Sequence, residues 1–215
     1  MINILGNNNS IANNFLAELR DEEIQKDSMR FRKNLERLGE VMAYEISKTL
    51  SYDEREIISP LGSANSFVLN EKIVLATIMR AGLGFHQGFL NFFDRAESAF
   101  ISAYRKHEKD GSFEIQLDYI SSPDLTDKTL ILIDPMLATG HSVAISLKGL
   151  RNNYGEPSKI HIASILSSAI GLDFLKTRLP IGTDIWAMAV DQELTAQAYI
   201  VPGLGDAGDL AYGEK

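Results

Sequence analysis

The chain has 215 residues, 45% of them apolar and 23% charged, the balance of an ordinary globular protein with material for a full core. A net charge of −8 and a pI near 5.0 offer no basic footprint for nucleic acid or for an anionic membrane surface. Cysteine is absent, which excludes disulfides, thiolate catalysis and thiolate-held metals, and no apolar run approaches the roughly 18 residues that span a bilayer.

Residues 1–10 carry neither the basic nor the apolar segment of a secretion signal, so a cytoplasmic protein is expected, and they read as a loose end. Ile11 to Leu19 suits a short helix. Asp27 and Ser28 offer an N-cap for a long helix in which Phe31, Leu35, Leu38, Met42 and Ile46 recur at helical spacing. Arg32, Lys33, Glu36, Arg37 and Glu40 on its other face are expected to be solvated. Glu56 to Leu69, with Pro60 and Gly62 near the middle, predicts two short strands and a turn set apart from the main sheet. Ile73 to Met79 is a buried strand ending in Arg80, Ala81 and Gly82, with a helix expected over Phe85 to Phe93. Ala99 to Tyr104 is a third strand, ending in Tyr104 and Arg105. The charged stretch Lys106 to Gly111, followed by the alternation of Phe113, Ile115 and Leu117, suggests a hairpin arm.

Leu130 to Ile133 is all apolar, as expected of a strand buried on both faces of a parallel sheet. Asp134 and Pro135 end it, Ala138 to Ser142 form a small-residue turn, and Val143, Ile145, Leu147 and Leu150 open a helix. Lys159 to Leu166 is strand, Ala169 to Arg178 helix with Pro180 just beyond, and Asp184 to Val190 strand. Strands alternating with helices in this way predict an α/β protein, an open and mostly parallel sheet with flanking helices plus a small β arm. A single domain over residues 1–215 is expected, since no linker or repeat interrupts it.

In such a sheet, ligands bind at the carboxyl ends of the strands. Arg80, Arg105 and Asp134 each follow a strand. A strand, a tight small turn and a helix N-terminus gather backbone N–H groups around one point, which suits phosphate, and guanidinium groups pair bidentately with phosphate oxygens. Gly203 to Gly208 matches the dinucleotide pattern G-x-G-x-x-G, but only residues 209–215 follow, too few for the helix and the later acid that pattern requires. The same glycines expose backbone N–H and C=O to a ligand, and a flat base can be read by such groups alone. His86, His107 and His161 have no metal spacing and are expected to be packing or surface residues.

Three blocks, Met79-Arg-Ala-Gly-Leu-Gly84, Asp134-Pro-Met-Leu-Ala-Thr-Gly-His-Ser142 and Tyr199 to Asp209, resemble the signature segments of uracil phosphoribosyltransferases, in that order. Weaker likeness covers Arg30 to Glu45, Tyr104-Arg105 and Asp191-Gln192. The resemblance implies the type I phosphoribosyltransferase fold and the reaction of uracil with phosphoribosyl diphosphate (PRPP), giving UMP and pyrophosphate in pyrimidine salvage. It implies Arg80, Arg105 and Asp206 as catalytic residues, with the two arginines on the diphosphate. PRPP would also meet Asp134, Pro135, Met136, Leu137, Ala138, Thr139, Gly140, His141, Ser142 and Asp206. Uracil would be framed by Tyr199, Ile200, Gly205, Asp206 and Ala207. Magnesium would arrive on the diphosphate rather than in a protein cage. A homodimer or homotetramer is implied, with GTP an activator in some relatives; nucleic acid and membrane are not expected partners. Two other readings stay open: a phosphoribosyltransferase for another base, and a nucleotide-sensing regulator that keeps the PRPP site, against which the acidic balance argues.

Three positions depart from the resemblance. His141 stands where glycine is usual, and would cost on the order of 1 kcal/mol if the turn needed φ > 0 there. Lys106 to Asp110 lacks the usual run after Arg105. Leu210 replaces a basic residue near the C-terminus.

Overall fold

A computed structural model describes residues 1–107 and 113–214, with the side chains of 104–107 and 113–116 outside the description. The chain starts with β1 (Ile2–Ile4), α1 (Ile11–Arg20) and α2 (Ser28–Ser47). An antiparallel ribbon follows, β2 (Tyr52–Ser59) and β3 (Gly62–Leu69). The central stretch runs β4 (Ile73–Met79), α3 (Gly82–Phe92), β5 (Glu97–His107), β6 (Phe113–Ser121), β7 (Thr129–Ile133), β8 (Met136–Leu137) and α4 (His141–Tyr154). It closes with β9 (Lys159–Ser168), α5 (Ala169–Lys176), β10 (Asp184–Asp191), the short pair β11 (Glu193–Leu194) and β12 (Ile200–Val201), and α6 (Ala207–Tyr212).

The sheet order is β1-β10-β9-β7-β4-β5-β6, with β8 added beside β9. Every pairing in it is parallel except β5 with β6. The apolar runs of β4, β7 and β9 have a simple cause: both faces of the sheet are covered. Ile73, Leu75, Ile131, Ile133, Ala163 and Ile165 pack with α1, α2 and α3, whereas Val74, Ala76, Leu130, Leu132, Ile160 and Ile162 pack with α4 and α5. Each valine, leucine or isoleucine among them contributes about 1.5–3 kcal/mol by leaving water.

From β4 the chain passes through α3 to β5 on one side, and from β7 through α4 to β9 on the other. The winding therefore reverses between β4 and β7, and a crevice opens beyond their carboxyl ends, where α/β sheets bind ligands.

Two expectations fail here. Residues 1–10 are not loose: Ile2, Asn3 and Ile4 pair in parallel with Ile185, Trp186 and Ala187, and form an edge strand. The charged face of α2 is only partly solvated. Asp27 caps the helix as expected, accepting from Met29 N and Arg30 N. Arg32, however, donates to Ala211 O at 2.6 Å, and Glu36 and Glu40 both accept from Asn91. The ribbon stands apart from the main sheet as predicted, and its first strand begins at Tyr52, four residues before the expected start.

His161 is buried on β9, where its Nδ1 accepts from Trp186 Nε1 at 3.2 Å. Burial, aided by the Lys159 charge, pushes its pKa down to about 4. The unfolded value is about 6.5, so the unfolded chain protonates first as the pH falls. The stability tied to neutral His161 is full above about pH 6.5 and is lost between there and pH 4, roughly 3 kcal/mol in all. Urea unfolding from pH 7 to pH 4 is expected to show this loss, and His161→Gln to flatten it. An unchanged pH slope in His161→Gln would remove this histidine as its source.

Candidate active site

Arg80 and Asp134 stand on either side of the crevice. Thr77 and Ile133 are register partners on β4 and β7, so the residues just beyond them leave the sheet side by side. The peptide bond joining Met79 to Arg80 is cis. Gly82 lies close under this turn, since a Cβ there would meet Thr77 Oγ1 at 2.3 Å and Ile133 O at 3.5 Å.

Arg80 is held from the far end of the chain. Its Nη2 donates to Asp209 Oδ1 at 2.6 Å and its Nη1 to Gly213 O at 2.9 Å. Its Nε is buried without a partner, as is Thr77 Oγ1. An unpaired buried donor costs free energy, and here it sits on a guanidinium at the mouth of the crevice, where an anionic oxygen would satisfy it.

The turn after β7 is built for close approach. Asp134 N donates to Ala163 O, and Pro135 O accepts from Ile165 N and Leu166 N, which seats the turn on β9. Asp134 Oδ1 accepts from Met136 N at 3.3 Å. Gly140 caps α4 with φ +79, a left-handed conformation that glycine adopts without strain. A Cβ there would also press on Leu175, Gly171 O and Phe174 at 2.9–3.1 Å. Ser168 Oγ donates to Ala138 O and accepts from Gly171 N, tying the turn to the start of α5. No side chain caps α4, so its first N–H groups face the turn with the positive end of the helix dipole. Asp134, Met136, Leu137, Ala138, Thr139, Gly140 and Ser142 line a cleft of about 30 Å³ here.

His141 is the first residue of α4, with the positive φ one residue earlier, so the conformational cost considered for it does not arise. Its ring stacks on Phe174, centroids 4.2 Å apart.

The C-terminal segment closes the other side. Ile200 is buried in the core, with Tyr199 half-exposed beside it. The Val201–Pro202 bond is cis and Gly203 and Gly205 both take positive φ. Asp206 caps α6, its Oδ1 accepting from Gly208 N at 2.8 Å and Asp209 N at 3.0 Å. A Cβ on Gly208 would lie 3.1 Å from Asp206 Oδ1 and 3.4 Å from Arg80 Nη2. The glycine-rich tail thus lies directly against Arg80. Leu210 packs onto the core, its Cδ1 3.9 Å from where a Cβ on Gly205 would stand.

The structure therefore brings Arg80 into contact with the Asp206–Gly208 segment, and sets Asp134 with the phosphate-type turn across the switch point. The side chain of Arg105 lies outside the described residues. Its backbone is within β5, opposite Ile115, and not beyond the strand end as predicted, because pairing with β6 carries the strand on to His107. The sequence did not reveal Asp209 and Gly213 as the partners of Arg80, because residues more than a hundred positions apart leave no local signal.

A larger hollow of about 670 Å³ lies at the opposite, amino ends of the strands, lined among others by Glu71, Lys72, Lys128 and Lys159. Size favours it, but Lys128 is paired with Glu97 and Lys159 donates to Thr49 O. It has no convergent donor cradle, so the strand carboxyl ends are the better site despite the smaller cleft.

Comparison with known proteins agrees with this placement of the fold. A solved structure of an Aquifex aeolicus protein superposes with a TM-score of 0.87 at 30% identity, covering 99% of this chain and 98% of that one. The uracil phosphoribosyltransferase of Porphyromonas gingivalis is 54% identical over 211 residues, 98% of this chain and 97% of the relative. That of Methanothermobacter thermautotrophicus is 41% identical over 189 residues, 87% and 85% of the two chains. The family described as uracil phosphoribosyltransferase matches residues 7–214, and the chain belongs to that family.

Proposed function

We propose that the chain transfers the phosphoribosyl group of PRPP to uracil, forming UMP and pyrophosphate, in the crevice between β4 and β7. The observation that carries this reading is the meeting of three parts at one place: a tethered guanidinium, a phosphate-type turn, and a glycine-rich segment lying against that guanidinium. The 5′-phosphate fits the N–H groups of Ala138 to Ser142, and Asp134 the ribose hydroxyls. Arg80 fits the diphosphate, with Arg105 assigned beside it on the family resemblance. Ile200, Gly205, Asp206 and Ala207 present backbone donors and acceptors to the base, with Tyr199 at the rim.

The chemistry follows from charge. A ring nitrogen of uracil attacks the anomeric carbon as its bond to the diphosphate oxygen breaks, so positive charge builds on the ribose and negative charge on the leaving group. Arg80 is already aimed and needs little reorganisation to stabilise that leaving charge. The acids nearest Arg80, Asp206 and Asp209, offer single carboxylates, one engaged in capping and one in an ion pair. That fits a magnesium ion carried mainly by the diphosphate and keeping its waters, where it would neutralise leaving-group charge.

The assembly is proposed to be a homodimer or homotetramer, working in the cytoplasm. The β2–β3 ribbon supports an assembly, since Ile58, Leu61 and Phe67 are 79%, 100% and 73% exposed, an apolar surface that a second copy would cover.

Pyrophosphate release from PRPP and magnesium, measured with uracil, cytosine, hypoxanthine and orotate in turn, tests the reading. Release is expected with uracil. None with any base would leave only the regulator reading, and release with hypoxanthine alone would reassign the base. A parallel series with GTP tests the activator.

A further inference from the structure

Away from the reacting groups, one buried ion pair is distinguished by what it grips. Asp191 ends β10 and is 8% exposed, and Arg20 ends α1. The two form a fork, with Arg20 Nη1 donating to Asp191 Oδ2 and Nη2 to Oδ1, both at 2.8 Å. Further hydrogen bonds of both converge on one residue of the C-terminal loop. Gly203 N donates to Asp191 Oδ2 at 3.0 Å, and Gly203 O accepts from Arg20 Nη1 at 3.0 Å. Both backbone groups of Gly203 are thus clamped between two elements that belong to the sheet and its helical layer. The residue cannot easily be anything else: φ is +59, and a Cβ would meet Ile200 O at 2.0 Å.

The location gives the clamp its meaning. Gly203 separates Ile200 from Gly205, Asp206 and Ala207. The intervening chain has little regular structure of its own, only the two-residue β12 before it and the six-residue α6 after it. A base read by backbone groups needs them held to within about 0.5 Å, and side-chain packing alone does not hold a loop of small residues. Burial would raise the pKa of Asp191, but the Arg20 hydrogen bonds, the Gly203 N–H and the Arg20 charge outweigh it and hold the carboxyl below its ordinary range. Asp191 is therefore charged, and removing either partner leaves the other unpaired in a partly buried site.

We propose that Arg20 and Asp191 are positioning residues for the base: by clamping Gly203 they set the register of Gly205 to Ala207, and so govern uracil affinity and base selectivity without touching either substrate. The proposal rests on the assignment of uracil to that loop. It differs from a general stabilising role in a way that can be measured. The phosphate turn is anchored separately, by Pro135 on β9 and by Ser168 at the start of α5, so PRPP feels the clamp only indirectly. Gly203, by contrast, leads straight into the segment assigned to the base.

The test uses the full chain in steady state, varying uracil and PRPP separately. Asp191→Asn and Arg20→Gln are expected to raise KM for uracil at least tenfold with a clearly smaller rise in KM for PRPP, and to narrow the preference for uracil over cytosine. Arg20→Lys keeps the charge but loses the fork, and is expected to fall between wild type and Arg20→Gln. It also serves if Asp191→Asn fails to fold. Equal rises in both KM values, or an unchanged KM for uracil in a folded variant, would overturn the clamp. Amide exchange of the wild-type chain with and without UMP checks the assignment beneath it, with slowed exchange expected at residues 204–208. No slowing there would sink the base assignment and the clamp together; slowing there with unaltered KM values in the variants would sink the clamp alone.

Discussion

Arg80→Ala is expected to lower kcat/KM for PRPP on the order of a hundredfold, about 2.7 kcal/mol of transition-state stabilisation. The size follows from geometry. Arg80 is tethered at both terminal nitrogens, by Asp209 and by Gly213 O, so its orientation is set before any ligand arrives. Its buried Nε has no partner, a donor that an anionic oxygen would satisfy on uncovering it. The variant loses the donor and leaves Asp209 without its ion pair. Arg80→Lys keeps a positive charge but not the planar fork, and should recover part of the loss. Equal kcat/KM in Arg80→Ala and wild type would remove Arg80 from the diphosphate. Arg105→Ala is expected to cost at least tenfold, about 1.4 kcal/mol, in the same assay.

The second large effect concerns folding rather than chemistry. Helices α2 and α3 cross at two glycines. A Cβ on Gly88 would stand 2.0 Å from Glu36 O, 2.7 Å from Glu40 N and 2.8 Å from the Cα of Gly39, and one on Gly39 would stand 2.3 Å from Phe85 O. All of these are backbone atoms, with no flexible side-chain end to swing aside, so the helices must move apart. Overpacking of this kind costs about 1–3 kcal/mol, and Gly88→Ala is expected at the upper end. That corresponds to a fall in Tm of about 6–12 °C for a chain of this size. Gly84→Ala is the control, since its nearest contacts would be 3.4–3.5 Å, an ordinary separation. Thermal melts of the two variants should differ clearly. If Gly88→Ala melts with Gly84→Ala, the crossing is more yielding than its distances imply.

Where the sequence could be read, the reason was burial on two faces. Ile73 to Met79 and Thr129 to Ile133 are apolar without interruption because helices cover both sides, and such runs bounded by Arg80 or by Asp134-Pro135 mark strand and end together. Small elements escaped for lack of length: Ile2–Ile4 has three residues, Met136–Leu137 and Ile200–Val201 two each. Helix α6 was hidden within a glycine pattern, although Asp206 is a conventional N-cap. The charged face of α2 was misjudged because Asn91 and Ala211, which satisfy it, come from distant segments. The same limit applies to the site. Arg80 and the turn could be found at strand ends, yet the pairing of Asp209 with Arg80 and of Arg20 with Asp191 could not, since contact across 129 and 171 positions is a product of the fold.

The reversal of winding between β4 and β7 has a bearing on which substitutions this fold can absorb. Up to the register pair Thr77 and Ile133, each residue of the two strands is pressed between helices, and a change of volume is felt as lost cohesion. Beyond Met79 the chain turns into α3, and beyond Ile133 it bends into the turn seated on β9, so a change there is felt mainly by whatever occupies the crevice. Persistence and selectivity thus occupy successive segments of the same strands. The rim can be varied to suit what it holds while the interior below it keeps the molecule folded.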